Sequence, residues 1–196
     1  GSGVIYTIIG GPLENMMAMG YIYTNVDSVV IGLGAALSDL KKHKTKPYEL
    51  LEKLKEHPTI RPLIQGGSLE EYSGHLIPEG GYNSIPKLHY DGLMIAGDAG
   101  MLVNNVHWEG TNLAMTSGKM AAETALEALE KEDFSENMLS LYRKNLDESF
   151  LMKDLKSYKD VASFAEHNST TIMGFYPNKV NQFMDNFVSV DSIPKS

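Results

Sequence analysis

Leu93-Met94-Ile95-Ala96-Gly97-Asp98-Ala99-Gly100 is an apolar run that ends in Gly-Asp, and Glu109-Gly110-Thr111-Asn112-Leu113-Ala114 follows it closely. Each half has its own chemistry. A carboxylate just past the end of a buried strand sits where open α/β sheets bind ligands. Asp98 there can accept hydrogen bonds from sugar hydroxyls. A glycine that opens a helix leaves unpaired N–H groups at the positive end of the dipole, which suits an anion or a polarised carbonyl oxygen. Lacking a side chain, Gly110 also lets a ligand come close to the backbone. Gly97, Asp98, Gly110, Thr111 and Asn112 therefore read as two parts of one ligand site. The competing reading is a plain Gly-Asp turn followed by an ordinary helix start.

His107 and Trp108 lie in the loop joining the two parts. They read either as the wall of a ligand cavity, with His107 able to exchange a proton, or as a surface loop with one packed aromatic. The other histidines, at positions 43, 57, 75, 89 and 167, show no metal-ligand spacing, so the sequence predicts no metal centre. Cysteine is absent, which excludes disulfides and thiolate-held iron–sulfur clusters in this chain. The Asn168-Ser169-Thr170 sequon reads as a chance match.

The elements that must position these residues follow from pattern. Val4 to Gly11 suits a strand, and Gly20 to Asn25 with Ser28 to Gly34 reads as a hairpin around Asn25-Val26-Asp27. Pro47 to Glu56 reads as a helix with proline in its first turn, ended by His57-Pro58. Leu69 to Ile77 reads as a strand closed by Pro78-Glu79-Gly80-Gly81. Leu93 to Ala96 reads as a strand buried on both faces, as in a parallel sheet. Gly110 to Lys131 is one long helix, Asn137 to Tyr158 one or two more, and Pro177 to Val188 a last one. Val29-Val30-Ile31-Gly32-Leu33-Gly34-Ala35 imitates a dinucleotide fingerprint. No acidic residue follows on a second strand, so its glycines are assigned to the hairpin.

The Gly97–Asp98 and Gly110–Asn112 segments resemble the second FAD fingerprint of glutathione-reductase-type flavoproteins. Gly11-Pro12-Leu13, Glu56-His57-Pro58-Thr59-Ile60-Arg61-Pro62 with Gly66-Gly67, Ile77-Pro78-Glu79-Gly80-Gly81 and Ser84-Ile85-Pro86-Lys87-Leu88 narrow the resemblance. In this order they are similar to the FixC and electron-transfer flavoprotein:quinone oxidoreductase family, from Val4 to about Ala165. The resemblance implies FAD as cofactor, with Asp98 on the ribityl hydroxyls. Gly110, Thr111 and Asn112 would face the flavin N1–O2 edge and stabilise negative charge there. It places His107 and Trp108 in a quinone or flavin cavity. The implied enzyme takes electrons from an electron-transfer flavoprotein and passes them to a quinone or to a separate ferredoxin-like protein. A geranylgeranyl-reductase-like flavoprotein and a cofactor-free partner-docking module are the alternatives.

The fold expected is α+β. Residues 1–3 read as a cloning scar and 4–87 as part of an antiparallel substrate-side domain. Residues 88–132 carry the last strand and helix of an FAD-binding α/β domain, and 133–196 form a helical tail. The Gly-x-Gly-x-x-Gly turn of the first FAD half is missing, so this stretch by itself is expected to be inactive and to bind FAD weakly or not at all. The open strand edge at Ala96 makes self-association a further expectation. A formal net charge of -8 argues against nucleic acid as partner. No apolar run approaches the roughly 20 residues of a spanning helix. The expected location is the cytoplasm, with a peripheral contact at the inner face of the cell membrane through Met101, Leu102, Val103, Trp108, Ile172, Met173, Phe175 and Tyr176.

Overall fold

The computed structural model describes residues 3–13, 15–107 and 109–188. The chain divides into two compact units, residues 1–72 with 165–196, and residues 73–164. The sequence reading instead placed boundaries at 87 and 132. The division follows packing: the helices after residue 135 share a core with Leu88 and Ile95, and so group with the short strands.

The first unit begins with three antiparallel strands, β1 (Ile5–Ile8), β2 (Ala18–Thr24) and β3 (Val29–Ala35). The turn between β2 and β3 closes where the Asn25 amide donates to the Ser28 carbonyl at 2.8 Å. Ile22 pairs with Ile31 and Tyr21 with Gly32. The Tyr21 ring lies over Gly32, 2.4 Å from where a β-carbon would stand, so glycine in this strand is a seat for the aromatic. The fingerprint-like glycines are thus hairpin residues, as the missing acidic partner implied. Short helix α1 (Leu37–His43) was not foreseen in the sequence; its Asp39 carboxylate accepts from the Met17 amide at 2.6 Å. Helix α2 (Pro47–Glu56) starts on proline, and the Lys46 amide donates to Glu49 at 3.1 Å. Its Leu50 and Leu54 are fully buried, one with Leu13 and Met16, the other with Ile22 and Ile60. The single turn α3 (Arg61–Ile64) follows.

Residues 65–81 are irregular. The strand expected over Leu69 to Ile77 does not form. Leu69, Tyr72, Leu76 and Ile77 are all exposed, so the stretch has no packed face to hold an extended conformation.

In the second unit β4 (His89–Tyr90) and β5 (Leu93–Met94) form a two-residue antiparallel ladder. This corrects the expectation of a strand buried on both faces in a parallel sheet: Leu93 is exposed, and β5 has an antiparallel neighbour through the Asp91-Gly92 turn. The turn is tied down from outside, since the Gly92 amide donates to the Phe134 carbonyl and the Glu136 amide to the Asp91 carboxylate. Helices α4 (Thr111–Glu130), α5 (Glu136–Glu148) and α6 (Phe150–Ser157) supply most of the core. Ser135 caps α5 by accepting from the Met138 amide at 3.3 Å. Leu88, Leu102, Leu113, Tyr142, Leu146 and Leu151 are fully buried together. The Tyr142 hydroxyl donates to the Ile95 carbonyl at 2.9 Å, which pins α5 to the residue before the Gly-Asp turn. Burial raises the Tyr142 pKa to about 12.

The chain continues through α7 (Val161–His167), a π-helical stretch (Thr171–Phe175) and α8 (Tyr176–Val188). Residues from 165 onward group with the first unit. Gly174 is buried against Asn15, 2.8 Å from where its β-carbon would be. The result is a mixed α/β chain with small antiparallel sheets, and the α+β expectation holds at that level.

Candidate functional site

After β5 the backbone turns through Gly97–Gly100 in a single 3-10 turn. Gly97 has φ +63°, and a β-carbon there would lie 3.1 Å from the Ala114 side chain. Only glycine meets both demands, the left-handed backbone and the close approach to α4. The Gly97 amide donates to the buried Ser117 hydroxyl at 2.9 Å, and Ser117 donates onward to the Ala114 carbonyl at 3.0 Å. The Leu102 amide returns to the Gly97 carbonyl. The turn is thereby fastened to the second turn of α4.

Fastening the turn aims Asp98 at the start of the same helix. Its Oδ1 is buried and has no hydrogen-bond partner among the described residues. That oxygen stands 3.7 Å from the position a Gly110 β-carbon would take, with Val103 Cγ2 at 3.5 Å from the same point. Gly110 is the residue before the first helical turn, and its carbonyl accepts from the Ala114 amide at 2.8 Å. The amides of Thr111, Asn112 and Leu113 therefore have no acceptor within the helix. No acidic residue occupies this first turn. The arrangement offers one carboxylate acceptor beside a set of amide donors at the positive end of a 20-residue helix. A ligand that donates a hydroxyl on one side and accepts through a carbonyl or anion on the other would satisfy both.

Glu79 belongs to the same neighbourhood, and the sequence reading missed it. Glu79 is largely exposed as a residue, yet its carboxyl is raised above the usual range, first by partial desolvation and second by the charge of Asp98. In the sequence Pro78-Glu79-Gly80-Gly81 reads only as the end of a strand. Nothing in the local pattern connects residue 79 with residue 98; their electrostatic coupling arises from the fold.

Gly97, Asp98 and Gly110 are thus brought together, with Thr111 and Asn112 on the exposed first turn beside them. His107 faces elsewhere. Its exposed ring meets Tyr158 edge-on at 4.7 Å between centroids, at the end of α6. Trp108 lies outside the described residues. His107, Glu109 and Asp154 form a second cluster, with ligand-type atoms all within 4.8 Å of one another. The sequence reading found no such group, because Asp154 lies on a later helix and no local spacing reveals it.

No family model matches the chain. "Protein FixC" of Azorhizobium caulinodans is 45% identical over 194 residues, which cover 98% of this chain and 45% of that protein. "Protein FixC" of Azotobacter vinelandii is 46% identical over 182 residues, 92% of this chain and 42% of that protein. "Probable electron transfer flavoprotein-quinone oxidoreductase YdiS" of Escherichia coli is 36% identical over 194 residues, with the same coverage of 98% and 45%. The chain therefore spans under half the length of the curated relatives it matches. Among solved structures, a geranylgeranyl bacteriochlorophyll reductase-like protein from Thermoplasma acidophilum matches with a TM-score of 0.56. It is 18% identical and covers 91% of this chain and 49% of that one, a likeness of fold alone.

Proposed function

Since the chain belongs, over the stretch it spans, to the FixC and electron transfer flavoprotein–quinone oxidoreductase family, we propose that it forms the flavin-edge half of an FAD-dependent oxidoreductase. The observation that carries this reading is the buried Asp98 Oδ1, without a partner among the described residues, beside the start of α4. A buried carboxylate oxygen without a donor is costly, and a ribityl hydroxyl is a donor of the right kind. Gly110 puts no side chain at the start of α4, and the amides of Thr111 and Asn112 would be offered to the pyrimidine edge of a flavin. Gly97 holds the turn against α4 so that acceptor and donors keep their spacing. When bound, FAD would supply the electron transfer; the residues here hold it and favour negative charge on its ring.

In the whole protein the electrons would come from an electron-transfer flavoprotein and leave to a quinone or a separate ferredoxin-like protein. This chain has no cysteine with which to hold a cluster of its own. Among the described residues no helix is long and apolar enough to cross a membrane, so contact with a quinone pool would be peripheral. The exposed apolar residues of α8 and the stretch before it, Phe175, Tyr176, Val180, Phe183 and Phe187, are the surface for it. Leu102 and Val103, expected from sequence to share that surface, are buried and are removed from it.

The test is Gly110→Val in a longer protein that carries this stretch and holds FAD. Gly110 has φ -119°, and its β-carbon position is in ordinary contact distance of its neighbours. The β-carbon itself therefore fits, valine's γ-carbons would crowd the space beside the helix start, and the circular dichroism spectrum shows whether the variant folds. Flavin content should fall while the circular dichroism spectrum is kept. Full flavin content with unchanged reduction by an electron-transfer flavoprotein would mean that the helix start faces something else.

A further inference from the structure

The second cluster, His107, Glu109 and Asp154, is held together by one buried residue. Asn104 is 2% exposed and touches all three ligand-bearing positions. Its Nδ2 donates to Asp154 Oδ2 at 2.6 Å. Its Oδ1 accepts from the amides of Val106 and His107 at 3.0 and 3.2 Å. Its own amide and carbonyl pair with those of Glu109 at 2.9 and 3.0 Å. The side chain of Asn104 thus fixes an oxygen of Asp154, and its contacts fold the loop so that His107 and Glu109 come to the same place. The His107 ring is braced by Tyr158, one helical turn beyond Asp154.

We propose that this is a divalent-cation site of the zinc class, with His107, Glu109 and Asp154 as its protein ligands and Asn104 as the residue that positions them. Ligand atoms on a common zinc ion sit about 2.0–2.2 Å from the metal, hence roughly 3–4 Å from one another. The observed spread of up to 4.8 Å closes by rotation of side chains, since His107 is exposed and Glu109 half-buried. One imidazole with two carboxylates suits zinc better than magnesium or calcium, which prefer all-oxygen sites. The two carboxylates bring like charges together, and a dication relieves them. A hydrogen bond from a buried amide to a ligating carboxylate is the support that metal sites use to fix ligand orientation. Three protein ligands leave a fourth position open to water or to a ligand oxygen. The cation would tie His107 and Glu109 to Asp154 of α6, immediately before the start of α4. This inference does not depend on the flavin reading.

The experiment uses the whole chain, stripped with a chelator and titrated calorimetrically with ZnCl2, MnCl2 and MgCl2. One zinc ion per chain is expected, with magnesium much weaker. His107→Ala and Asp154→Asn should each weaken zinc by more than about 100-fold, since loss of a supporting hydrogen bond alone costs about 10- to 100-fold. Replacing the exposed His75 by Ala should change nothing. Zinc should raise the melting temperature of the wild type but not of His107→Ala, and without metal the two should melt alike. Zinc binding unaffected by both ligand variants, no stoichiometric zinc, or magnesium binding as tightly as zinc would each overturn the proposal.

Discussion

Replacing Asp98 by Ala should stabilise this chain in the absence of FAD. Removing a buried polar side chain commonly destabilises, because its partner is left unmet. Asp98 Oδ1 has no partner to strand among the described residues. Leaving a buried polar atom unsatisfied costs about 1–3 kcal/mol. Two effects modify this. The nearby start of α4 favours the negative charge by about 0.3–1 kcal/mol, and the residue as a whole is only half-buried, so the lower end of the range applies. The net gain on substitution is then at most about 0.7 kcal/mol, which for a unit of this size raises the melting temperature by no more than about 3–5 °C. The same change should weaken FAD binding in a longer flavin-holding protein by about 5- to 150-fold, the equivalent of 1–3 kcal/mol. Glu79 supplies a pH signature. Its carboxyl is held above the ordinary value of 4.5, so its penalty is absent below that value and grows as the pH rises through the raised one. Stability lost over that window should shrink in Asp98→Ala without vanishing, since burial is the larger cause. Calorimetric melts from pH 4 to 8 read both effects. A variant that melts several degrees below the wild type at neutral pH would show that Asp98 is satisfied within the chain, and the ligand reading would lose its support.

Titration of this chain with FAD, followed by flavin fluorescence, should show weak binding or none. The described site holds one carboxylate and a helix start, at about 0.5–1.5 kcal/mol net per hydrogen bond, against an association cost of roughly 4–15 kcal/mol. Stoichiometric binding at micromolar concentration would refute this. Tyr142→Phe should lower stability by about 1–2 kcal/mol, because the buried Ile95 carbonyl loses its donor; an unchanged melting temperature would mean that water replaces the hydroxyl. A flavin-holding longer protein should co-float with uncharged liposomes, through apolar contact, and Phe183→Ser with Phe187→Ser should reduce flotation. Loss-free flotation of that double variant would move the membrane surface elsewhere.

Legibility in the sequence followed the range of the interactions. Helix α2 and the β2–β3 hairpin were readable from Pro47, His57-Pro58 and the Asn25 turn, because local backbone chemistry decides them. Gly97–Asp98 and Gly110 were readable as a turn and a helix start, which are local demands, but that Asp98 lies beside that helix start is supplied by the fold. Leu69 to Ile77 carried a strand's residue types but found no surface to cover, and composition cannot report that. Leu93 to Ala96 was apolar for a different reason than assumed. Ile95 and Ala96 pack on the helical core, while Leu93 stays exposed beside a two-residue hairpin. Glu79, Asn104 and Asp154 were invisible as site residues, since each acts on a partner far along the chain.

Helix α4 is about 30 Å long, and its inward stripe is made of Leu113, Ser117, Thr124 and Ala128, mostly small side chains. Small residues let a helix settle closely on its neighbours but give it little to interlock with lengthwise. Ser117, bonded to Gly97, acts as the detent that stops α4 from sliding. A slip of one residue would carry the amide donors about 1.5 Å along the axis, away from the Asp98 oxygen. The far end of the helix, around Thr124 and Ala128, thereby becomes a tuning screw. Enlarging either residue would re-seat the rod and shift the spacing at Gly110 without altering any residue that a ligand could touch.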